Sequence, residues 1–171
     1  MTMSLISTVT VGAGGAASIE FTSIPQDATD LVILISTRSS NNNSETYFTV
    51  NGVSSTTDGS KLILHSGAVG NGFDRTDIDL KSPLSTQTAN TFSNGYLTIP
   101  NYAGTATKIC FFEAVTENNA SSAYGIIGAG TFGITAAITS ILFSPILLFV
   151  QNSTVSLYKI TKGSDGITVA T

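Results

Sequence analysis

The sequence predicts an all-β protein, a single antiparallel β-sandwich of jelly-roll type. Three observations carry that reading. Short runs of β-branched and aromatic residues recur along the chain with turn residues between them. No stretch shows the i, i+3, i+4 apolar period of a long amphipathic helix, which makes alternating βαβ units a poor description. A length of 171 residues suffices for one substantial core and little more. One domain is therefore expected over residues 1–171, with residues 1–15 as an N-terminal arm or edge strand.

Taken in order, Leu5 to Val11 has strand-forming residues, Gly12 to Gly15 is a flexible link, and Ala17 to Phe21 resumes an extended run. Ile24-Pro25 closes it, because proline cannot donate to a ladder and pushes its predecessor toward extended geometry. Leu31 to Ile35 is continuously apolar, the pattern of a central strand covered on both faces. Ser36 to Ser44 is polar and reads as a surface loop. Tyr47 to Val50 forms a further strand ending at Asn51-Gly52, the favoured pair of a two-residue hairpin turn.

Val53 to Ser60 carries no core signal, whereas Leu62 to Leu64 reads as a short strand. After Gly67, Gly70 and Gly72, the weakly patterned Phe73 to Leu80 is expected as an exposed edge, and Ser82 to Asn90 as an ordered loop or a brief helical turn. Phe92 to Ile99 and Thr107 to Val115 are strong strands whose short link, Asn101 to Ala106, implies antiparallel pairing. Tyr124 to Ile127 leads into Gly128 to Gly133, which fits tight strand packing or a bulge; it lacks both the Lys-Ser/Thr ending of a phosphate loop and dinucleotide spacing. Ile138 to Phe143 and Val155 to Ile160 close the set.

Between those last two strands lies Pro145, Ile146, Leu147, Leu148, Phe149 and Val150, too apolar for an ordinary exposed loop. It has to pack beneath the domain or against another subunit, and it is the candidate interface.

Composition points to assembly. Hydrophobic residues make up 42% of the chain and charged residues only 11%, so uncharged Ser, Thr, Asn, Ala and Gly must cover its surface. Such a surface supplies little repulsion between copies. Seven scattered basic residues and a net charge of −4 leave no footprint for nucleic acid. The apolar runs are broken by Ser, Pro, Thr and Gly short of the roughly 18 residues a membrane helix needs, so no membrane partner is expected. Met1 to Ile6 lacks the basic and compact apolar regions of a secretory signal.

Catalytic and metal chemistry find few candidates. His65 is the sole histidine and Cys110 the sole cysteine, so neither a triad nor a thiolate cluster can be completed; Cys110 reads as a buried small hydrophobe. Asp74, Asp77 and Asp79 are the best hard-cation candidates, yet they lack a full calcium-loop pattern and fit a solvated edge better. Tyr47, Tyr96, Tyr102, Tyr124 and Tyr158 suit sandwich walls and interfaces more than sugar platforms. No cofactor and no enzymatic activity are expected.

Several segments together resemble a family of small structural proteins of tailed bacteriophages, especially cyanophages and marine phages. They are Ser4 to Val11, Ile19 to Pro25, Thr29 to Leu31, Arg38-Ser39, Phe48 to Gly52, Thr88 to Phe92, Ile99 to Tyr102, Ala136 to Ile141 and Phe149 to Tyr158. The resemblance implies a virion β-sandwich whose edges and loops meet neighbouring subunits: a decoration or cement protein on the capsid surface, bridging major capsid subunits after assembly in the host cytoplasm. A tail, baseplate or fibre subunit is the alternative. A homo-oligomer, a homotrimer among the options, is the expected state. Ser144 to Phe149 is more apolar than the connection expected in that family, which points to a contact particular to this chain. The alternative role as a host-glycan module would use a rim of Asn41 to Ser44, Gly67 to Phe73 and Glu117 to Ser122.

Overall fold

A computed structural model describes residues 1–42, 45–54, 56–65, 68–69, 73–75, 78–116 and 124–162. Among them the chain is all strand and connection, without a helix: β1 (Thr2–Thr10), β2 (Ile19–Phe21), β3 (Asp30–Ser36), β4 (Glu45–Val50), β5 (Val53–Ser54), β6 (Thr56–His65), β7 (Ala68–Val69), β8 (Phe73–Arg75), β9 (Asp79–Lys81), β10 (Asn94–Pro100), β11 (Lys108–Thr116), β12 (Tyr124–Phe132), β13 (Ile141–Pro145) and β14 (Thr154–Thr161).

They build two antiparallel sheets. The larger runs β1-β14-β3-β10-β11-β12-β6-β7, with β8 also on β6; the smaller runs β2-β13-β4-β5, with β9 also on β4. The pairing is nested: β1 with β14, β2 with β13, β3 with β10 and β4 with β9. Those eight strands form β1-β14-β3-β10 facing β2-β13-β4-β9, the arrangement of a jelly roll. The expected sandwich is thus present. Strands β11, β12 and β6 to β8 continue the larger sheet beyond β10 as a wing.

Period-2 alternation decides which side chains enter the core. In β11, Lys108, Cys110, Phe112, Ala114 and Thr116 are buried and the residues between them are exposed. Phe48 of β4 joins the layers, meeting Phe132 of β12 edge-on (centroids 5.4 Å apart) and stacking on Phe143 of β13 (5.7 Å). The small-residue stretch of β12 has a packing reason, since Ile78 lies where a Cβ on Gly130 would stand.

The Asn51-Gly52 turn forms as expected, with φ of 49° and 74° at the two residues, the left-handed pair that a right-twisted hairpin requires. Asn51 also fastens the turn to the approach to β13: its Oδ1 accepts from the Thr139 (2.9 Å) and Ser140 (3.1 Å) amides, and its Nδ2 donates to the Ala137 carbonyl (2.8 Å). Asn51→Ala should cost about 2 kcal/mol, from lost hydrogen bonds and a side chain poorly suited to positive φ, read as a lower urea midpoint at unchanged slope.

Two expectations need correction. The strand expected from Ile138 begins at Ile141; Ile138 is buried, but its amide donates to the Tyr102 carbonyl outside any ladder. In the segment expected as an exposed edge from Phe73 to Leu80, β8 joins the larger sheet and β9 the smaller, and Ile78 and Leu80 are core residues. Val53–Ser54 and the residues from Thr56, which carry no core signal in the sequence, form β5 and the start of β6. Of the two forms expected for Ser82 to Asn90, the ordered loop is the one present.

That loop is organised from within by Arg38, a buried cation. Its Nη1 donates to the carbonyls of Thr88 (2.8 Å) and Thr91 (3.1 Å) and to Thr91 Oγ1 (3.0 Å), and its Nη2 donates to the carbonyls of Gln87 (2.9 Å) and Ser85 (3.4 Å). Lys108 does the same for the β10–β11 link, its buried ammonium donating to the carbonyls of Asn101, Gly104 and Ala106. Both loops replace water with one fixed donor group.

Candidate interaction surface

The outer face of the larger sheet is apolar. Seven of the ten large hydrophobic side chains exposed among the described residues stand on it: Met3, Leu5, Leu34, Ile109, Phe111, Val115 and Ile127. Register aligns them in rows across the strands. One row is Leu5, Tyr158, Val32, Thr98, Phe111 and Ala129; the next is Thr8, Ser156, Leu34, Tyr96, Glu113 and Ile127. Glu113 is the one carboxylate in those two rows.

Leu34 and Phe111 show why this face matters. Leu31 to Ile35 carries the pattern of a strand covered on both sides, and β3 is indeed central, with Leu31, Ile33 and Ile35 in the core. On its outer side Val32 is buried among its neighbours while Leu34 is 41% exposed. The same holds across β11, where Phe112 is buried and Phe111 is 48% exposed. The face is relieved by two depressions. One of about 630 Å³ lies between Leu34, Tyr96, Glu113, Val115 and Ile127; the other, of about 380 Å³, lies beside Ile109 and Phe111. At a strand spacing of about 4.8 Å and a rise of about 3.3 Å, the region from β1 to β12 and from Ile109 to Val115 covers on the order of 500 Å².

The segment expected as the interface is divided by its backbone. It runs between two neighbours: the amide of Phe149 donates to the Ala16 carbonyl (2.7 Å), that of Val150 to the Arg38 carbonyl (3.0 Å), and the carbonyl of Leu148 accepts from Ser40 (2.9 Å). Pro145 and Phe149 thereby face the core, Leu148 and Val150 are half-buried, and Ile146 and Leu147 alone stand exposed. Sequence reading missed the larger surface, Leu34, Ile109, Phe111, Val115 and Ile127. Its signal lies in the runs Leu31 to Ile35 and Ile109 to Phe112, whose consecutive apolar residues fall on both faces of their strands.

The chemical candidates are dispersed. Asp74 belongs to β8 in the larger sheet and Asp79 to β9 in the smaller, while Asp77 lies outside the described residues. The backbone of His65 ends β6, opposite Tyr124. No group of three metal-ligating side chains occurs among the described residues. Tyr102 is fully buried and donates to the Pro25 carbonyl, whereas Tyr47, Tyr96 and Tyr158 are half-buried on the walls. Burial pushes the Cys110 thiol up to about 12, so thiol reagents at pH 8 should label it only upon unfolding. No helix among the described residues is long and apolar enough to cross a membrane.

One end of the larger sheet gathers the connections. Strands β1, β3, β6 and β11 finish there, and β10, β12 and β14 begin there. Asn41 and Asn42 lie on this side, Asn41 accepting from the Ser85 amide and Asn42 from Thr86 Oγ1. Asn43, Ser44, Gly67, Gly70 to Gly72 and Glu117 to Ser122 of the expected rim lie outside the described residues.

No family model matches the chain, and no curated protein matches it. Among solved structures it is similar to a protein of unknown function from Shewanella oneidensis MR-1, with 15% identity and a TM-score of 0.23 over 99% of this chain and 78% of that one. A likeness at that level carries no argument about fold or function.

Proposed function

We propose that this chain is a non-enzymatic structural protein of a tailed-phage virion, a decoration or cement protein that lies on the capsid and bridges major capsid subunits. The observation that carries the reading is the apolar outer face of the larger sheet, on which Leu34, Phe111, Val115 and Ile127 remain two-fifths to one-half exposed among the described residues. A low-charge surface and the resemblance set out above support the same reading. In this role the two depressions take side chains of the neighbouring subunit, and Ile146 and Leu147 add a smaller contact at the loop-bearing end.

A tail or fibre subunit that reads host glycan is the second reading, favoured by the gathering of connections at one end of the sheet. Locating the chain in intact particles separates the two. Density repeated over the shell is the expected result, and density confined to the tail overturns it. Saturable binding of the isolated protein to host envelope polysaccharide would favour the glycan-reading module.

A further inference from the structure

We infer that two copies of this chain join edge to edge through β1, antiparallel about a twofold axis at Ser4, so that their larger sheets become one. The inference stands on the edge itself and holds whatever the joined sheets rest against.

β1 pairs with β14 along one side, and among the described residues no strand pairs with its other side. Exposed edges are normally guarded by shortness, by lysine, by proline or by a bulge. Of these β1 has only the last, between Leu5 and Ser7: Thr2–Thr10 is nine residues long, without a charge or a proline. Its one irregularity is the register shift between Leu5 and Ser7, which leaves Thr2 to Leu5 as a regular stretch. Outward-pointing amides and carbonyls of such a stretch are best satisfied by another extended strand, not by a smooth surface.

The second copy fits that role for two reasons. First, β1 is self-complementary. With the axis at Ser4, Met3 lies opposite Leu5 of the second copy, and Leu5 opposite its Met3. Two aliphatic pairs that are 49% and 56% exposed in one copy then become cross-strand contacts. Second, a twofold axis that pairs antiparallel edge strands stands normal to the sheet, so both outer faces turn to the same side. Leu5 already ends a row that runs through Tyr158 and Val32 to Phe111, and the seam joins it to the second copy's row that starts at Met3 and Ile160. One face, on the order of 500 Å², falls short of the roughly 800 Å² that each partner gives to a stable interface, and two joined faces exceed it.

The test uses the full chain. Its solution mass should be twice 17.7 kDa. Ser4→Cys should form a covalent dimer on mild oxidation, because the axis sets the two thiols opposite each other. Gly14→Cys, placed in open space off the edge, should not. Buried Cys110 does not compete. Leu5→Lys should give a folded monomer whose melting temperature no longer depends on protein concentration and lies below that of the wild-type dimer by the stabilisation that association supplies, since the side chain is exposed and the lysine guards the edge. A monomeric wild type overturns the inference, as does a monomer whose β1 amides resist exchange, for that edge would be covered from within the chain. A dimer that survives Leu5→Lys and fails to cross-link at Ser4 overturns it equally. Particle location reports separately on the virion role.

Discussion

Arg38→Ala should lower the unfolding free energy by about 3 kcal/mol, among the largest effects of any single polar substitution in this chain. The guanidinium is buried, and its donors fill the carbonyls of Ser85, Gln87, Thr88 and Thr91 together with Thr91 Oγ1. Alanine removes every one of those donors and leaves a void in the middle of the loop, so the carbonyls must draw in water or the loop must open. Arg38→Lys should recover less than half of the loss, because an ammonium cannot span both sets of acceptors as a planar fork does. Urea unfolding measures the cost, and amide exchange in residues 85–91 shows where it falls. A cost below about 1 kcal/mol, the range of ordinary surface substitutions, would mean that the loop holds itself.

In the proposed virion role, the double substitution Phe111→Ser and Ile127→Ser should weaken binding to the particle by about 10- to 100-fold while changing stability by about 1 kcal/mol or less. Both side chains are nearly half exposed in the isolated chain and lie in adjacent rows of the outer face. Burying what remains exposed of each is worth about 0.7–1.5 kcal/mol, roughly half the value of a complete burial, and together they supply the stated factor. Particle pull-down at matched concentration, alongside thermal melting, separates the two effects. Binding that survives with an intact fold would move the contact away from this face, leaving Ile146 and Leu147 as the next surface to test.

Much of the framework could be read from sequence, and the reasons are specific. In β14, Val155 and Leu157 point inward while Ser156 and Tyr158 point outward, and that alternation is visible in the letters. Asn51-Gly52 marks its turn because few other pairs accept two positive φ values in succession. The start of β6 was illegible, since Thr56 to Ser60 shows no apolar period in the letters although its backbone pairs with β12 and β8. Arg38 and Lys108 were illegible for the opposite reason: both letters signal solvent, yet each is buried by saturation of its donors with loop carbonyls. As for the surface, Leu34 and Phe111 announce a strand that wants both faces covered. Nothing in one chain's letters says whether the cover comes from that chain or from another.

The nested pairing also sets the order in which the molecule can be made. The β4–β9 and β3–β10 ladders join segments in the first two thirds of the chain, while β1 waits for β14, whose partner for Thr10 is Thr154 and for Thr2 is Thr161. On a ribosome adding about 5–20 residues per second, the N-terminal strand therefore spends several seconds with its future neighbour unsynthesised. Its long-range ladder must close late, against the entropy of a very large loop, which places this chain among slow folders. Until then β1 is an uncharged, unpaired segment that other nascent chains can capture. Cells making large amounts of it should yield more soluble protein when synthesis is slowed than when it is hastened.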